Sequence, residues 1–536
     1  MNYVKLRIAA LSFIFILSSL ALADDHHHTM PGDKYGTVNF PTSCAANVQK
    51  PFELAVAQLH SFEYETAELQ FKNVAHQDPK CAMAYWGQAM SLFHGLWARP
   101  SKEDLKRGTD FSQKAQQLNA KTPREREYIN AVALLFHDAD KIDHKDRVKA
   151  YSQAMEKVSQ HNPSDREAAI FYALSLLAVG SGDDPELTND RKAVAILSRL
   201  FEQQPDHPGI AHYIIHACDN PQLASLGLPA AREYAKIAPS SAHAVHMPSH
   251  IFARVGLWRE SIASNAAALK AADEMEAMHL HTMHHRMHAM DYMHYAYLQI
   301  GDDAAAQAIA KQMAGFNRSE IEKDYQDYYD DMLTGFAARY AIERRQWKDA
   351  LALQPIANAT ASIQSQTYWA HAVAAGHLRD AAAAEQALKD YEAKLDQVKK
   401  GPQAHMLDGL KSEHEEVIAW TLYAQGKSDD AIAKLRAVAD RQDKVGKGET
   451  ESPAREMLAD MLLDLDRPRE ALAEYEVSLK TDPNRFNELV GAARAAEKLA
   501  QKEKASGYYA QLLKNCDGVQ SDRPEIAQAK TLLAAK

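Results

Sequence analysis

Residues 454–483, AREMLADMLLDLDRPREALAEYEVSLKTDP, decide how this chain folds. Shifted by 34 positions, the stretch falls on the one that follows it. Ala459 meets Ala493, Leu465 meets Leu499, Ala471 meets Ala505, Tyr475 meets Tyr509 and Leu479 meets Leu513. Small residues fall on small ones and large on large, and Asp482-Pro483 closes the first unit. Each unit holds two amphipathic helices. Such a pair cannot bury its own apolar face, so neighbouring pairs must stack into one continuous core.

The same frame recurs upstream. Ala67, Phe71, Ala75 and Pro79 have the spacing of Ala471, Tyr475, Leu479 and Pro483, and Ala193, Leu197, Phe201 and Pro205 repeat it. Pro205 and Pro239 stand one period apart, and Gly256 and Trp258 sit where the next inter-helix turn belongs. Residues 340–353, 369–388 and 419–439 read as further, less regular helix pairs. The pattern resembles the tetratricopeptide repeat over most of residues 46–536. The resemblance implies an all-α solenoid, a right-handed superhelix of antiparallel helix pairs with a concave inner surface. It is silent on function. No stretch alternates with period two, so no sheet is expected. Thr42-Ser43-Cys44, Leu59-His60-Ser61-Phe62-Glu63-Tyr64 and Cys81-Ala82-Met83-Ala84-Tyr85-Trp86-Gly87 also resemble a group of exported bacterial tetratricopeptide proteins, which brings no activity to carry over.

Composition narrows the function classes. The 536 residues are 46% hydrophobic and 25% charged, ordinary for a globular chain. Lys and Arg number 61 against 72 Asp and Glu, a net charge of −11, which argues against nucleic acid as a partner. At the amino terminus Lys5 and Arg7 precede an apolar stretch over 8–22, and Ala21-Leu22-Ala23 has the form of a signal-peptidase site. Residues 1–23 are therefore expected to be a signal peptide and the mature protein periplasmic or secreted. No later run of about 20 apolar residues follows, so no membrane span is expected after its removal. The expected divisions are an amino-terminal arm over 24–45, a repeat array with a histidine-rich groove over 46–313, middle helical repeats over 314–445 and carboxy-terminal repeats over 446–536. Loops are expected at Gly180-Ser181-Gly182, 314–331 and 444–453. Export allows disulfides. With four cysteines, Cys44 and Cys81 are the expected pair, both near the amino terminus in a region that folds back on itself, although spacing does not determine connectivity. Cys218 and Cys516 read as separate buried thiols.

The histidines carry the chemistry. Of 25, twelve lie between His207 and His294. His212 and His246 are one period apart, as are His216 and His250. In the frame set by Pro205 and Pro239 these are positions 5 and 9 of successive first helices, and His243 is position 2. The tetratricopeptide resemblance implies that these positions line the concave groove. Apart from any family, residues four apart share a helix face and can present two imidazoles to one metal ion. The next first helix, preceded by an insertion, adds His281, His284, His288 and Asp291 within one arc, and a separate stripe of Met283, Met287, Met290 and His294. That stripe reads as core, with a copper relay as its alternative. Asp24-Asp25-His26, if exposed by cleavage, could ligate Cu(II) or Ni(II), or be a solvated tail. Trp86, Asn220 and Arg254 are candidate groove residues for a partner, each with packing or surface pairing as the plainer reading. Asp219 and Glu63 are candidate carboxylates to orient an imidazole.

No nucleophile elbow, phosphate loop, dinucleotide-binding glycine motif or haem-attachment motif is present. The leading expectation is thus an exported repeat protein that binds a transition metal, copper or zinc, in its groove through His212, His216, His243, His246, His250, His284, His288 and Asp291. The alternatives are a metal-free scaffold for a protein or peptide, and a metalloenzyme built on the same cluster.

Overall fold

The computed structural model describes residues 34–96, 98–180, 184, 186–276 and 282–534. The expected signal peptide, the Asp24-Asp25-His26 motif and His281 lie outside them. Among the described residues every regular element is a helix, and successive helices pack as pairs. The chain is a tetratricopeptide-like α-solenoid. Lys411–Ala424 with Ser428–Val445, Ala454–Asp464 with Pro468–Thr481, and Phe486–Lys498 with Lys502–Asn515 are three successive pairs.

The repeat frame seen in sequence is the packing frame. Ala67, Phe71, Ala193, Leu197, Ala471 and Tyr475 are all fully buried. Two glycines show how close the pairs approach. A Cβ on Gly87 would lie 2.3 Å from the Phe71 ring, and one on Gly491 would lie 2.2 Å from the Tyr475 ring. The aromatic of one second helix thus lies against the bare backbone of the next first helix. Inside the pairs the turn residue is left-handed, as at Gly256, Gly301, Arg345, Arg379, Gly426, Asp466 and Ala500. Gly256 has a second constraint, because a Cβ there would lie 2.1 Å from the Pro483 carbonyl oxygen.

That last contact spans more than two hundred residues and shows how the array curls. Trp258 Nε1 donates to the Asn484 carbonyl at 2.9 Å, and Asn484 Nδ2 donates to the Gly256 carbonyl at 3.2 Å. Fully buried Arg485 pairs with Glu343 and Glu456, both at 2.7 Å, and donates to the Tyr295 hydroxyl. The carboxy-terminal repeats therefore pack on the histidine-rich ones. The segment after Val445 runs across the groove: Arg254 Nη1 donates to the Lys447 carbonyl at 2.9 Å, and Arg339 Nη2 to Thr450 Oγ1 at 3.1 Å. At the other end the 34–45 arm is pinned by hydrogen bonds from Thr37 N to the Asp206 carbonyl and from Lys34 N to Ser240 Oγ. Cys44 and Cys81 form a disulfide, with Cα atoms 4.8 Å apart, and Cys218 and Cys516 are buried free thiols.

One expected element is broken. Positions 2, 5 and 9 of the second histidine repeat were expected on one helix; the structure divides it into Ala242–His246 and Pro248–Arg254. Pro248 has no N–H to offer the preceding turn. The Met283/Met287/Met290 stripe also settles its two readings. Met287 and Met290 are fully buried in an apolar cluster with Met293, Ile309, Met313 and Phe336, so they are core.

Candidate metal centre

Two groups of three imidazoles stand on the inner helices. The first joins His212 and His216 of helix Pro208–Cys218 to His243 of helix Ala242–His246. His212 Nε2 lies 3.0 Å from His216 Nε2 and 3.0 Å from His243 Nε2. The second joins His246, His250 and, from helix Met283–Gln299, His288. His246 Nε2 lies 3.0 Å from His250 Nε2, and the His288 ring centre is 4.5 Å from that of His246 and 5.5 Å from that of His250. The groups are neighbours, with the rings of His243 and His246 6.4 Å apart.

The partners of the outer ring nitrogens fix what the inner ones present. His246 Nδ1 is 2.6 Å from Asn265 Oδ1. The Asn265 amide nitrogen donates to the Ser261 carbonyl at 2.8 Å, which leaves its oxygen for His246. His246 Nδ1 therefore carries the proton, and its Nε2 holds a lone pair. On His250, Nδ1 faces Asp219 Oδ2 at 2.8 Å and Glu449 Oε1 at 3.3 Å and donates to them. His212 Nδ1 donates to the His60 carbonyl at 2.6 Å, so its Nε2 also holds a lone pair. Nitrogens at 3.0 Å with their other protons committed repel unless a cation lies between them. A proton on His250 Nε2 serves for one pair; a metal ion serves all three rings of a group. Tetrahedral coordination at 2.0–2.1 Å places ligand nitrogens roughly 3.3–3.4 Å apart, a few tenths of an ångström from the spacing found.

Electrostatics divide the rings into neutral ones and one that holds its charge. Burial pushes His212 down to about 3, and burial with neighbouring rings holds His216, His243 and His246 well below the usual histidine range. Burial and the His250 charge bring His288 to about 4. These rings are neutral, the form that ligates a metal. His250 differs: burial lowers it, but Asp219 and Glu449 more than offset that and raise it to about 9. Burial would raise Glu449 in turn, yet Arg254 and His250 hold it well below the ordinary carboxylate value. Arg254 Nε pairs with Asp219 at 3.0 Å and its Nη2 with Glu449 at 3.3 Å. Arg254 thus holds the two carboxylates that orient His250.

Several candidates stand elsewhere. His284 stacks on Tyr325 and lies tilted against His285, outside both groups. Asp291 is taken by Arg339 at 2.7 Å and by the Thr450 hydroxyl at 3.1 Å, because the strap after Val445 covers it. Trp86 does not face a groove; it is buried among Phe40, Phe52, Phe71, Tyr128 and Phe171. Asn220 caps a turn, donating to the Ala217 carbonyl and accepting from Leu223 N. Glu63 accepts from Ser241 Oγ at 2.5 Å. Buried Phe62 closes the first group instead, 4.3 Å from the His212 ring centre.

A third cluster, His60, Glu167 and His207, has a different logic. Glu167 accepts from His60 Nε2 at 2.9 Å and from His207 Nε2 at 2.8 Å. His60 Nδ1 accepts from the Tyr213 hydroxyl at 2.8 Å, and His207 Nδ1 from Ile210 N at 3.3 Å. Every ring nitrogen has a partner, so this is a structural knot. Finally, His288 lines a cavity of about 430 Å³ with Asp291, Tyr328, Trp369, Glu413 and Glu416, which joins the second group to that space.

No protein-family model matches the chain, and no curated protein matches it. Among solved structures it is similar to the TPR domain of P58(IPK), at 14% identity and a TM-score of 0.20 over 91% of this chain and 99% of that one. It is also similar to the structure of Naa15/Naa10 bound to HypK-THB, at 10% identity and a TM-score of 0.25 over 90% of this chain and 91% of that one. With scores this low, the fold rests on the chain's own helix pairs.

Proposed function

We propose that this is an exported tetratricopeptide-like scaffold that binds a transition metal, copper or zinc, on the imidazoles of its inner helices. One observation carries the reading: His212 Nε2, with its Nδ1 proton held by the His60 carbonyl, meets both His216 Nε2 and His243 Nε2 at 3.0 Å, and a second group of three imidazoles stands beside it. Imidazole donors without a free thiolate among them suit copper and zinc. The Cys44–Cys81 disulfide supports an oxidising compartment, in keeping with residues 1–23 as a signal peptide.

The test is elemental analysis of protein purified from its exported fraction. At least one equivalent of copper or zinc is expected, and it falls on His246→Ala with His250→Ala. Metal-free protein that also fails to take up either ion when dialysed against it would overturn the reading. The metal-free scaffold is separated by capture of a protein partner that survives chelator. The catalytic alternative has one observation in its favour, that three imidazoles leave an ion its fourth position. Azide that leaves the spectrum of the copper-loaded protein unchanged would speak against it.

A further inference from the structure

The site resolves into two groups rather than one, and they are built alike. Each has an i,i+4 histidine pair, His212/His216 or His246/His250, whose Nε2 atoms lie 3.0 Å apart. Each is completed by one histidine from the next inner helix, His243 or His288. Each has a ring whose Nδ1 proton is fixed by an acceptor that is not a metal ligand: the His60 carbonyl for His212, the Asn265 amide oxygen for His246 and Asp219 for His250. Among the described residues the closely spaced ring nitrogens fall into two sets of three, each set within 4.8 Å of one another, and no ring belongs to both. In the first group the His212 lone pair meets two nitrogens at 3.0 Å, and a single hydrogen bond can satisfy only one of them.

Resting on the metal-binding reading above, we propose that the groove holds two transition-metal ions side by side, one on His212, His216 and His243 and one on His246, His250 and His288. The two positions are unequal. Asp219 and Glu449 touch His250, so negative charge backs the second group. The first is anchored on a neutral carbonyl and closed by the Phe62 ring. The second group therefore fills first, and the first takes the later equivalent. Each ion keeps a position for an outside ligand, and two cations on neutral imidazoles favour an anionic one.

The experiment is a titration of chelator-stripped full-length protein with Zn(II), followed by gel filtration and elemental analysis. Wild type is expected to retain two equivalents. His212→Ala with His243→Ala is expected to retain one, and His246→Ala with His288→Ala one, of lower affinity. Circular dichroism identifies any variant that has not folded; the wild-type count, which needs no variant, then decides. One equivalent in wild type overturns the two-ion proposal and leaves the metal-binding reading intact. Two equivalents that persist in His212→Ala with His243→Ala also overturn it. None at all overturns both.

Discussion

At the scale of single residues, His250 shows how the site is assembled. Its Nε2 faces His246 while its Nδ1 faces two carboxylates and the Tyr292 hydroxyl, so one ring links the metal face to the charge behind it. Orienting partners of this kind are commonly worth 10–100-fold in metal affinity. Asn265→Ala, which frees the His246 Nδ1 proton, is expected to weaken zinc binding by about that factor in a competition titration with a chromophoric chelator. The Glu167 knot gives a second prediction. Burial would raise the Glu167 carboxyl, but His207 and His60 bring it down to about 2, below its ordinary 4.5. Its contribution to stability is complete above the ordinary value and lost as pH falls toward 2. Burial lowers His60 as well, so the unfolded chain takes up a proton there that the folded chain refuses. Both effects make the unfolded state bind more protons, and stability falls on acidification. Urea midpoints should decline below about pH 6.5 in wild type, and the part of the decline below about pH 4.5 should flatten in Glu167→Gln. The paired histidines were legible because i,i+4 spacing is local and the 34-residue shift is visible in the sequence. Glu449 was not: it reaches His250 from 199 positions away, and nothing in the segment around it marks a ligand-orienting role.

At the scale of elements, the repeat alignment succeeded where packing enforces it. Gly491 and Gly87 must be small because Tyr475 and Phe71 lie on them, and that register is what the 34-residue shift detected. Gly491→Ala drives a methyl into the Tyr475 ring, and overpacking of this kind costs about 1–3 kcal/mol, readable as a lowered denaturation midpoint. The alignment failed at Pro248, where counting positions assumed a continuous helix. The two short helices still bring His246 and His250 together, because the kink comes between them and side chains close the gap. It also failed for His284 and Asp291, which share a helix arc with His288. A helical wheel gives direction but not depth, and the strap after Val445 fills the space that Asp291 would otherwise face. Trp86 takes its plainer reading as core: a position that lines a groove in an open superhelix is buried where the arm residue Phe40 packs over it.

At the scale of the molecule, the curl of the solenoid makes the site. The strap that leads into the carboxy-terminal repeats returns to the second group, where Glu449 meets His250, and Phe62 closes the first. Arg485 ties the carboxy-terminal repeats to helices Met283–Gln299 and Gln326–Glu343 through Tyr295 and Glu343, with Glu456 completing the pair. Removing one partner of a buried ion pair commonly costs about 3–5 kcal/mol, because the other charges stay buried. Arg485→Ala is expected to lose about that much by chemical denaturation and, by loosening the return of the strap, to weaken metal binding as well. Reduction of Cys44–Cys81 acts at the far end, and a cost of about 2–4 kcal/mol is expected with little change in metal content. The claim on which the rest depends is that imidazoles one repeat apart meet around a cation. Anomalous scattering at the zinc edge, from crystals grown with Zn(II), tests it most directly. The account predicts peaks within about 2.0–2.2 Å of Nε2 in the His246/His250/His288 group and of the facing nitrogens of His212, His216 and His243. Density for zinc only on surface residues, with both groups free of it, would contradict it.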